Sequence, residues 1–189
     1  MTRVAGPGPG VRTVLVTDLE QTDPSELVPG RVPDVEAELV RAHRPAPEFS
    51  RFLYRSVGGD WYWLDRIDWT LEQWTAWVTL PGYQLWTCWV EGTPAGYAEL
   101  VREGDAVEVA FFGLLPGHAG GGLGGWLLTE AARRAWAIDG VRRVWLHTCE
   151  LDSPAALANY RARGFRDCGT SVEHWDTTSP SPGPWRGSR

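Results

Sequence analysis

The chain has 189 residues, a formal net charge of −6 and 12 tryptophans, and 43% of its residues are hydrophobic. This length and apolar content predict one domain with its own core, while the negative charge argues against nucleic acid or an anionic membrane as partner. All 18 basic residues are arginine, which excludes a Schiff-base lysine and a P-loop lysine.

Both ends of the chain are rich in Pro, Gly and Ser, so we predict flexible tails over residues 1–10 and 177–189 around one domain over residues 11–176. No apolar run approaches the roughly 18 to 20 residues of a membrane span, and the N-terminus lacks the apolar core of a signal peptide. Three widely separated cysteines predict buried, reduced thiols. Together these features predict a cytoplasmic protein that binds no metal, membrane or nucleic acid.

The first half of the domain is predicted to contain one strand, an irregular stretch and two helices. Alternation predicts a strand over residues 11–19, and the stretch 21–47 is irregular apart from a short helix around residues 35–41. Apolar residues at helical spacing then predict helices over residues 49–57 and 71–80.

The second half is predicted to begin with three strands joined by tight turns, at residues 83–90, 94–100 and 106–115. A glycine-rich loop, a helix from residue 123 to about 138 and a buried strand at residues 141–148 follow, and they form a βαβ unit.

Another helix is predicted with a clear beginning and end. Ser153 is its predicted N-cap and Pro154 its first residue, while Gly164 ends it in a left-handed conformation with Phe165 as the apolar contact. A last strand, from residue 165 to about 175, completes the domain.

Six glycines lie between residues 117 and 125, directly after a predicted strand and at the start of a predicted helix. Backbone N–H groups and the helix dipole converge there, which predicts an anion site, most naturally for a phosphate. Gly120, Gly122 and Gly125 also satisfy the GxGxxG pattern of nucleotide-binding oxidoreductases, but too little chain follows for a Rossmann domain. A second alternative is that the glycines only let the helix and strand pack closely.

Two motifs carry a family resemblance. LLPGHAGGGLGGWLL is similar to the pyrophosphate-binding motif of the GNAT (Gcn5-related N-acetyltransferase) superfamily, Q/R-x-x-G-x-G/A, with Ala119, Gly122 and Gly124 at its defined positions. SPAALANYRARGF resembles that superfamily's next motif, A-x-x-x-Y-x-x-x-G-F, and the resemblance is strong over residues 107–165. Ala119 stands where the family usually has Gln or Arg, so one side-chain contact with the coenzyme is missing.

The resemblance implies an α/β (α+β) domain of the GNAT fold, with a mixed, mostly antiparallel central sheet that is splayed in the middle and flanked by helices. It implies acetyl-CoA as co-substrate, with the pyrophosphate on the glycine loop and the pantetheine arm between strands 107–115 and 143–149. The coenzyme residues that it implies are Phe112, Leu114, Leu115, Ala119, Gly120, Gly122, Gly124 and Gly125.

Acetyl transfer to an amine needs a base for the ammonium proton and an acid for the departing thiolate. Alternation places Glu108 on one strand face with Ala110, Phe112 and Leu114, and histone-acetylating members of the family carry their base at the matching position. Tyr160 occupies the motif's Tyr position, where many members place the acid. The structural alternatives are a solvent-facing Glu108 and a Tyr160 that only packs.

His147 lacks a third ligand at metal-binding spacing and is predicted to be a core residue with satisfied hydrogen bonds. The stretch 58–77 contains five tryptophans interleaved with acidic residues, and by the family's layout it borders the acceptor pocket. Because aromatic faces and carboxylates suit a cationic amine, Trp61, Trp63 and Asp65 are predicted to face the substrate. Trp74 and Trp77, three residues apart, are predicted to lie in the core.

The predicted function is N-acetylation of a primary amine on a small cationic metabolite or an amine-bearing natural product. Direct attack in a ternary complex is expected, because no cysteine has an activating base at a motif position. Two alternatives stay open: a catalytically silent acyl-CoA-binding sensor or docking domain, and a protein or peptide N-acetyltransferase. A homodimer is among the oligomeric states that stay open.

Overall fold

The computed structural model describes residues 10–177, so the two predicted tails lie outside the described residues except for Gly10 and Thr177. Seven strands and four α-helices follow one another along this part of the chain. The strands are β1 (Val11–Gln21), β2 (Ala37–Arg41), β3 (Tyr83–Val90), β4 (Thr93–Glu103), β5 (Ala106–Leu114), β6 (Arg143–Cys149) and β7 (Arg166–Asp176). The helices are α1 (Pro47–Gly58), α2 (Leu71–Val78), α3 (Leu123–Trp136) and α4 (Ala156–Ala162), with a 3-10 turn at Pro24–Glu26.

The strands form one sheet in the order β2-β3-β4-β5-β6-β1-β7. Every neighbouring pair is antiparallel except β5 and β6, which confirms the predicted mixed, mostly antiparallel sheet. The parallel pairing extends only from Ala106 opposite Arg143 to Glu108 opposite Trp145. Beyond that point the two strands diverge, and the sheet opens between them.

The helices cover both faces of the sheet. On one face, Leu53 and Val57 of α1 and Val78 of α2 pack against Leu85 and Tyr97. On the other face, α3 packs through residues that include Leu128 and Ala132, and α4 contributes Tyr160 to the same cluster. None of the helices within residues 10–177 is long and apolar enough to cross a membrane.

A β-bulge in β5 changes the predicted side-chain pattern. Leu100 pairs with Val109 whereas Glu99 pairs with Phe111, so Ala110 is an extra residue that reverses the alternation. Val109 and Phe112 consequently both pack on the α3 face. The prediction that Glu108 and Phe112 share a face is therefore wrong, because the alternation rule holds only for a regular strand.

Two local predictions need correction. Residues 37–41 form the edge strand β2 instead of a helix, because the free edge of β3 supplies backbone partners that local propensity does not reveal. Helix α4 begins at Ala156 with Ala155 as its N-cap, and Ser153 Oγ accepts a hydrogen bond from the Ala155 N–H in the preceding turn. Ser153 and Pro154 thus shape the approach to the helix rather than its first turn.

The predicted end of α4 is confirmed. Gly164 has φ 88°, its N–H donates to the Arg161 carbonyl, and the Phe165 N–H donates to the Tyr160 carbonyl. These two bonds define a Schellman motif. The cysteine prediction holds only in part: all three thiols are free, but Cys88 is buried whereas Cys168 is exposed.

Candidate active site

The glycine loop between β5 and α3 presents bare backbone to a cavity. Gly120, Gly121 and Gly122 are consecutive residues with φ of 98°, 55° and 83°, a conformation that side chains disfavour. Helix α3 begins with Gly122 as its N-cap, and no side chain caps it. Within residues 10–177, the N–H groups of Gly121, Gly122, Gly124 and Gly125 have no hydrogen-bond acceptor. Such unpaired donors at a helix N-terminus form an anion site.

An N-terminal segment crosses the start of α3 and brings arginine to this loop. The Asp34 N–H donates to the Gly121 carbonyl at 3.0 Å, and the Gly30 N–H donates to Thr129 Oγ1 at 2.8 Å. Arg31, which is ion-paired with Asp34, lies so close that its Nε is 2.8 Å from where a Cβ of Gly122 would be.

Arg163 approaches the same helix start from the end of α4. Its Nη1 is 2.5 Å from where a Cβ of Gly125 would be. Sequence reasoning missed both Arg31 and Arg163 at this loop, because the chain crossing that places them is a tertiary contact without a local pattern.

The first of two cavities, here called the coenzyme cavity, has a volume of about 380 Å³. It is bordered by the glycine loop, by the end of β5 and by the start of α4. Of the residues implied for the coenzyme, its lining includes Phe112, Leu114, Ala119, Gly120, Gly122, Gly124 and Gly125. Leu115 lies elsewhere: it packs against the α1 cluster, and its N–H donates to the Ala95 carbonyl.

The second cavity, here called the acceptor cavity, has a volume of about 230 Å³ and lies where β5 and β6 diverge. Its lining includes the predicted substrate and catalytic residues Trp61, Trp63, Asp65, Glu108 and Tyr160. The two cavities share five lining residues, namely Trp61, Trp63, Phe112, Asp152 and Tyr160. The two cavities are therefore adjacent, and the lining that they share is here called the junction.

The loop after α1 is bent so that successive aromatic side chains line the acceptor cavity. Tyr62 has φ 60°, which is rare for an aromatic residue, and Trp61, Tyr62 and Trp63 all belong to the lining. A Cβ at Gly58 would lie 2.4 Å from the Trp63 ring, so only glycine permits this approach. The Trp63 Nε1–H then donates to Asp152 Oδ1 at 3.0 Å, which fixes the ring at the junction.

Asp152 is held by donors from two parts of the chain. Besides Trp63, the Thr148 hydroxyl donates to Oδ2 at 2.7 Å and the Cys149 N–H donates to the same oxygen at 3.2 Å. Tyr160 lies beside it, is 7% exposed, and packs edge-to-face on Phe112 with ring centroids 6.1 Å apart. Burial, followed by the negative charge of Asp152, raises the pKa of Tyr160. Its phenol therefore stays protonated and can donate a proton.

Glu108 faces His147 across the opening between β5 and β6. Its Oε1 lies 3.4 Å from His147 Nδ1, and the His147 side chain is 44% exposed. The interaction with Glu108 is the main cause that raises the pKa of His147, and burial opposes it. The prediction of a core histidine is wrong, because the divergence of the two strands leaves this position open to solvent.

A buried charge network lies under the acceptor cavity. Glu99 is 1% exposed, and it accepts hydrogen bonds from Trp77 Nε1–H at 2.7 Å and from the Tyr83 hydroxyl at 2.9 Å. Burial raises the pKa of Glu99. Arg66 supplies the compensating charge, with its Nη1 4.0 Å from Glu99 Oε2. Sequence reasoning singled out neither residue.

The aromatic rings around Arg66 bind the guanidinium group of this residue. The Arg66 guanidinium carbon lies 3.6 Å from the Trp77 ring centroid, 4.3 Å from that of Phe111 and 4.5 Å from that of Trp69. These rings are therefore taken by an arginine of the chain itself. Trp74 is 2% exposed, as predicted for a core residue.

No group of three or more His, Cys, Asp or Glu residues that could hold a metal ion occurs in the described part of the chain.

Comparisons with known proteins give the family and the fold. The model of the acetyltransferase (GNAT) family matches residues 45–165. A GCN5-related N-acetyltransferase from Kribbella flavida is 23% identical, with a TM-score of 0.61 over 90% of this chain and 61% of that chain. A GCN5-related N-acetyltransferase from Sphaerobacter thermophilus is 17% identical, with a TM-score of 0.60 over 91% of this chain and 55% of that chain.

An acetyltransferase from Thermus thermophilus is 20% identical, with a TM-score of 0.53 over 76% of this chain and 99% of that chain. At these identities the structures establish a shared fold. The chain spans 53% to 62% of the length of the first three structures that it matches. No curated protein matches its sequence significantly.

Proposed function

The chain belongs to the acetyltransferase (GNAT) family, a family of acyltransferases, and on this premise we propose that it transfers an acetyl group from acetyl-CoA to a primary amine of a small molecule. The observation that carries this proposal is the junction of the two cavities at Trp63, Phe112, Asp152 and Tyr160. A thioester reaching it from the coenzyme cavity would meet an amine reaching it from the acceptor cavity.

The residues of the coenzyme cavity fit acetyl-CoA. The unpaired N–H groups of Gly121, Gly122, Gly124 and Gly125 would bind the pyrophosphate, and the positive charges of Arg31 and Arg163 lie next to them. These arginines offset the missing side chain at Ala119. The opening between β5 and β6 leaves unpaired backbone of β5 for the pantetheine arm. Bound there, acetyl-CoA supplies an acyl group activated as a thioester.

Glu108 of the acceptor cavity and Tyr160 of the junction supply the proton transfers. Glu108 takes one proton from the ammonium, and the free amine forms the C–N bond while the C–S bond breaks. Tyr160 gives its phenolic proton to the departing sulfur, and the proton left on the new amide nitrogen restores the phenol through solvent. The result is an amide, a free thiol and one proton released to water.

The state of Cys149 favours direct attack over an acyl-enzyme. This thiol belongs to the lining of the acceptor cavity, and burial raises its pKa to about 11. A protonated thiol is a poor nucleophile. The amine is therefore expected to attack the thioester itself, in a complex that contains both substrates.

The lining of the acceptor cavity favours an acceptor whose reacting end is cationic. Four carboxylates line the cavity, those of Asp65, Glu108, Asp152 and Glu173. A primary ammonium among them would be attracted before it gives up its proton.

Thermal unfolding with excess acetyl-CoA, compared with NADH, tests the coenzyme, because a ligand that binds only the native state raises the midpoint. Release of free thiol in the presence of a panel of amines then tests the reaction. A rise in midpoint without thiol release for any amine would favour a silent acyl-CoA-binding domain, and a rise with NADH alone would contradict the proposal.

A further inference from the structure

Arg66 has an unusual set of unused donors for a residue so well buried. Its side chain is 13% exposed, yet no oxygen within residues 10–177 accepts a hydrogen bond from its guanidinium group. The Glu99 carboxylate is 4.0 Å away, beyond hydrogen-bond reach. Buried polar groups nearly always have partners, yet the residues described provide none for the two N–H donors of the buried Nη1 or for the three of Nε and Nη2. The three accessible donors can therefore bind a molecule that enters the acceptor cavity.

The surrounding residues hold Arg66 beside Glu99 without a hydrogen bond between the two side chains. Both carboxylate oxygens of Glu99 already accept hydrogen bonds, one from Trp77 and one from Tyr83. The rings of Trp77 and Phe111 hold the guanidinium group in place. Of its nitrogens, only Nη1 is fully buried. The other two nitrogens are accessible, and Arg66 belongs to the lining of the acceptor cavity but not of the coenzyme cavity.

The position of Arg66 relative to Glu108 determines which part of the acceptor Arg66 would contact. Arg66 stacks on Phe111, which follows Glu108 by three residues on β5, a separation of at most roughly 10 Å along a strand. An acceptor whose amine lies at Glu108 would therefore reach Arg66, within the acceptor cavity, with a group a few bonds away from that amine.

The charges around Arg66 favour a neutral oxygen of the acceptor over a carboxylate oxygen. Two carboxyl groups lie close to Arg66: Glu99 Oε2 is 4.0 Å from its Nη1, and Asp65 directly precedes it in the chain and lines the same cavity. A neutral carbonyl oxygen accepts hydrogen bonds from a guanidinium group without being repelled by these carboxylates. A carboxylate would make the same bonds but against that repulsion.

We infer that Arg66 binds a carbonyl oxygen of the acceptor, at the end remote from its amine, so that the preferred acceptor is an amine that also carries an amide. This inference rests on the proposed amine acetylation and specifies its substrate class. Arg66 touches the acceptor without taking part in proton transfer, and its role is to bind and orient.

Three probes of one shape test the inference: 4-aminobutanamide, 4-aminobutanoate and the apolar isostere 4-methylpentan-1-amine, each with homologues one and two carbons longer. Binding is measured by calorimetry and turnover by thiol release. We expect the amide to bind roughly 10- to 100-fold more tightly than the apolar isostere, the effect of a hydrogen bond to a charged group. The carboxylate should bind between the two.

The variant that removes the donors must not leave Glu99 as an isolated buried charge, so Arg66→Met is combined with Glu99→Gln, and Glu99→Gln alone is the matched control. The preference for the amide should persist in the control and disappear in the double variant. If the double variant does not fold, Arg66→Lys keeps the charge but not the planar set of donors, and the preference should fall by about tenfold.

The outcomes separate this inference from the proposed function. Thiol release without a preference for the amide, a preference that survives loss of Arg66, or no binding of any probe at any chain length would each overturn the inference. A preference for the amide that depends on Arg66, with no thiol release, would support the inference and overturn the proposed acetylation.

Discussion

The coenzyme cavity and the acceptor cavity share Tyr160, but different parts of the residues line them. At the glycine loop the coenzyme cavity is bordered by backbone, and the N–H groups of Gly121, Gly122, Gly124 and Gly125 have no acceptor within residues 10–177. The acceptor cavity is bordered by side chains that arrive from the loop after α1, from β5 and from the end of β6. One region can thus bind a chemical group common to many reactions, while the other can select a particular molecule.

The largest expected effect on the acceptor cavity is the loss of turnover in Glu108→Gln. The loss of a general base lowers turnover by roughly 10² to 10³-fold, while the affinity for acetyl-CoA stays unchanged because Glu108 is not in the coenzyme cavity. The deficit should be largest at low pH, where hydroxide is scarce. The pH dependence of kcat/KM checks this, with Glu103→Gln, an exposed change at the end of β4, as control. A pH profile identical to that of the unaltered protein would rule out Glu108 as the base.

Tyr160→Phe tests the junction with a smaller expected effect. The ring keeps its contact with Phe112, and only the proton donor is removed. A thiolate is a fairly stable leaving group, with a reference pKa of about 8.5 for a thiol, so we expect kcat to fall by only about tenfold. Steady-state thiol release measures the change. An unaltered kcat would make Tyr160 a packing residue.

Gly120→Ala tests whether the glycine loop binds the coenzyme. A residue with a Cβ disfavours φ 98°, so the backbone at this position rotates. The N–H groups of the glycine loop then no longer converge. Affinity for acetyl-CoA should weaken by about tenfold, while the preference among acceptor amines is retained.

The matched control for Gly120 is Gly104→Ala. Gly104 also has a positive φ, 63°, and a Cβ at either position would meet no atom within 4 Å. Gly104 lies in the turn between β4 and β5, outside both cavities, so this change should lower stability by about 1 kcal/mol without altering coenzyme affinity. Equal losses of affinity in the two variants would contradict a binding role for the loop.

The smallest expected effect concerns pH and the Glu108–His147 pair. The folded state raises the pKa of His147 above its ordinary value of 6.5. The pair therefore stabilises the protein below pH 6.5, and this contribution is lost as the pH rises through the higher folded value. Because the side chain is 44% exposed, solvent keeps the effect well below about 1 kcal/mol.

Midpoints of thermal unfolding at pH 6 and pH 9, for the unaltered protein and Glu108→Gln, measure this contribution. Their difference should be larger at pH 6. Asp18 and Asp152 also act on His147, so part of its shift should survive in the variant. A difference that grows toward pH 9 would contradict the assignment.

Local sequence patterns predicted the order of nearly all elements, the glycine loop and the Schellman end of α4. Each depends on neighbours in the chain: period-two alternation predicted β1, and a left-handed residue could only be Gly164. The family could also be predicted, because each of its two motifs is a contiguous stretch of sequence. The prediction that Trp61, Trp63 and Asp65 face the acceptor depended on that resemblance, as no local pattern distinguishes a cavity wall from a core.

The rest of the site depends on tertiary contacts. The bulge at Ala110 moved Glu108 and Phe112 to opposite faces, and strand divergence exposed His147. Edge pairing made residues 37–41 a strand. Arg66 and Glu99 are 33 positions apart in the chain and meet only because α2 and the sheet bring them together. Contacts of this kind depend on how elements pack, and packing energy is a property of the whole fold rather than of any short stretch of sequence.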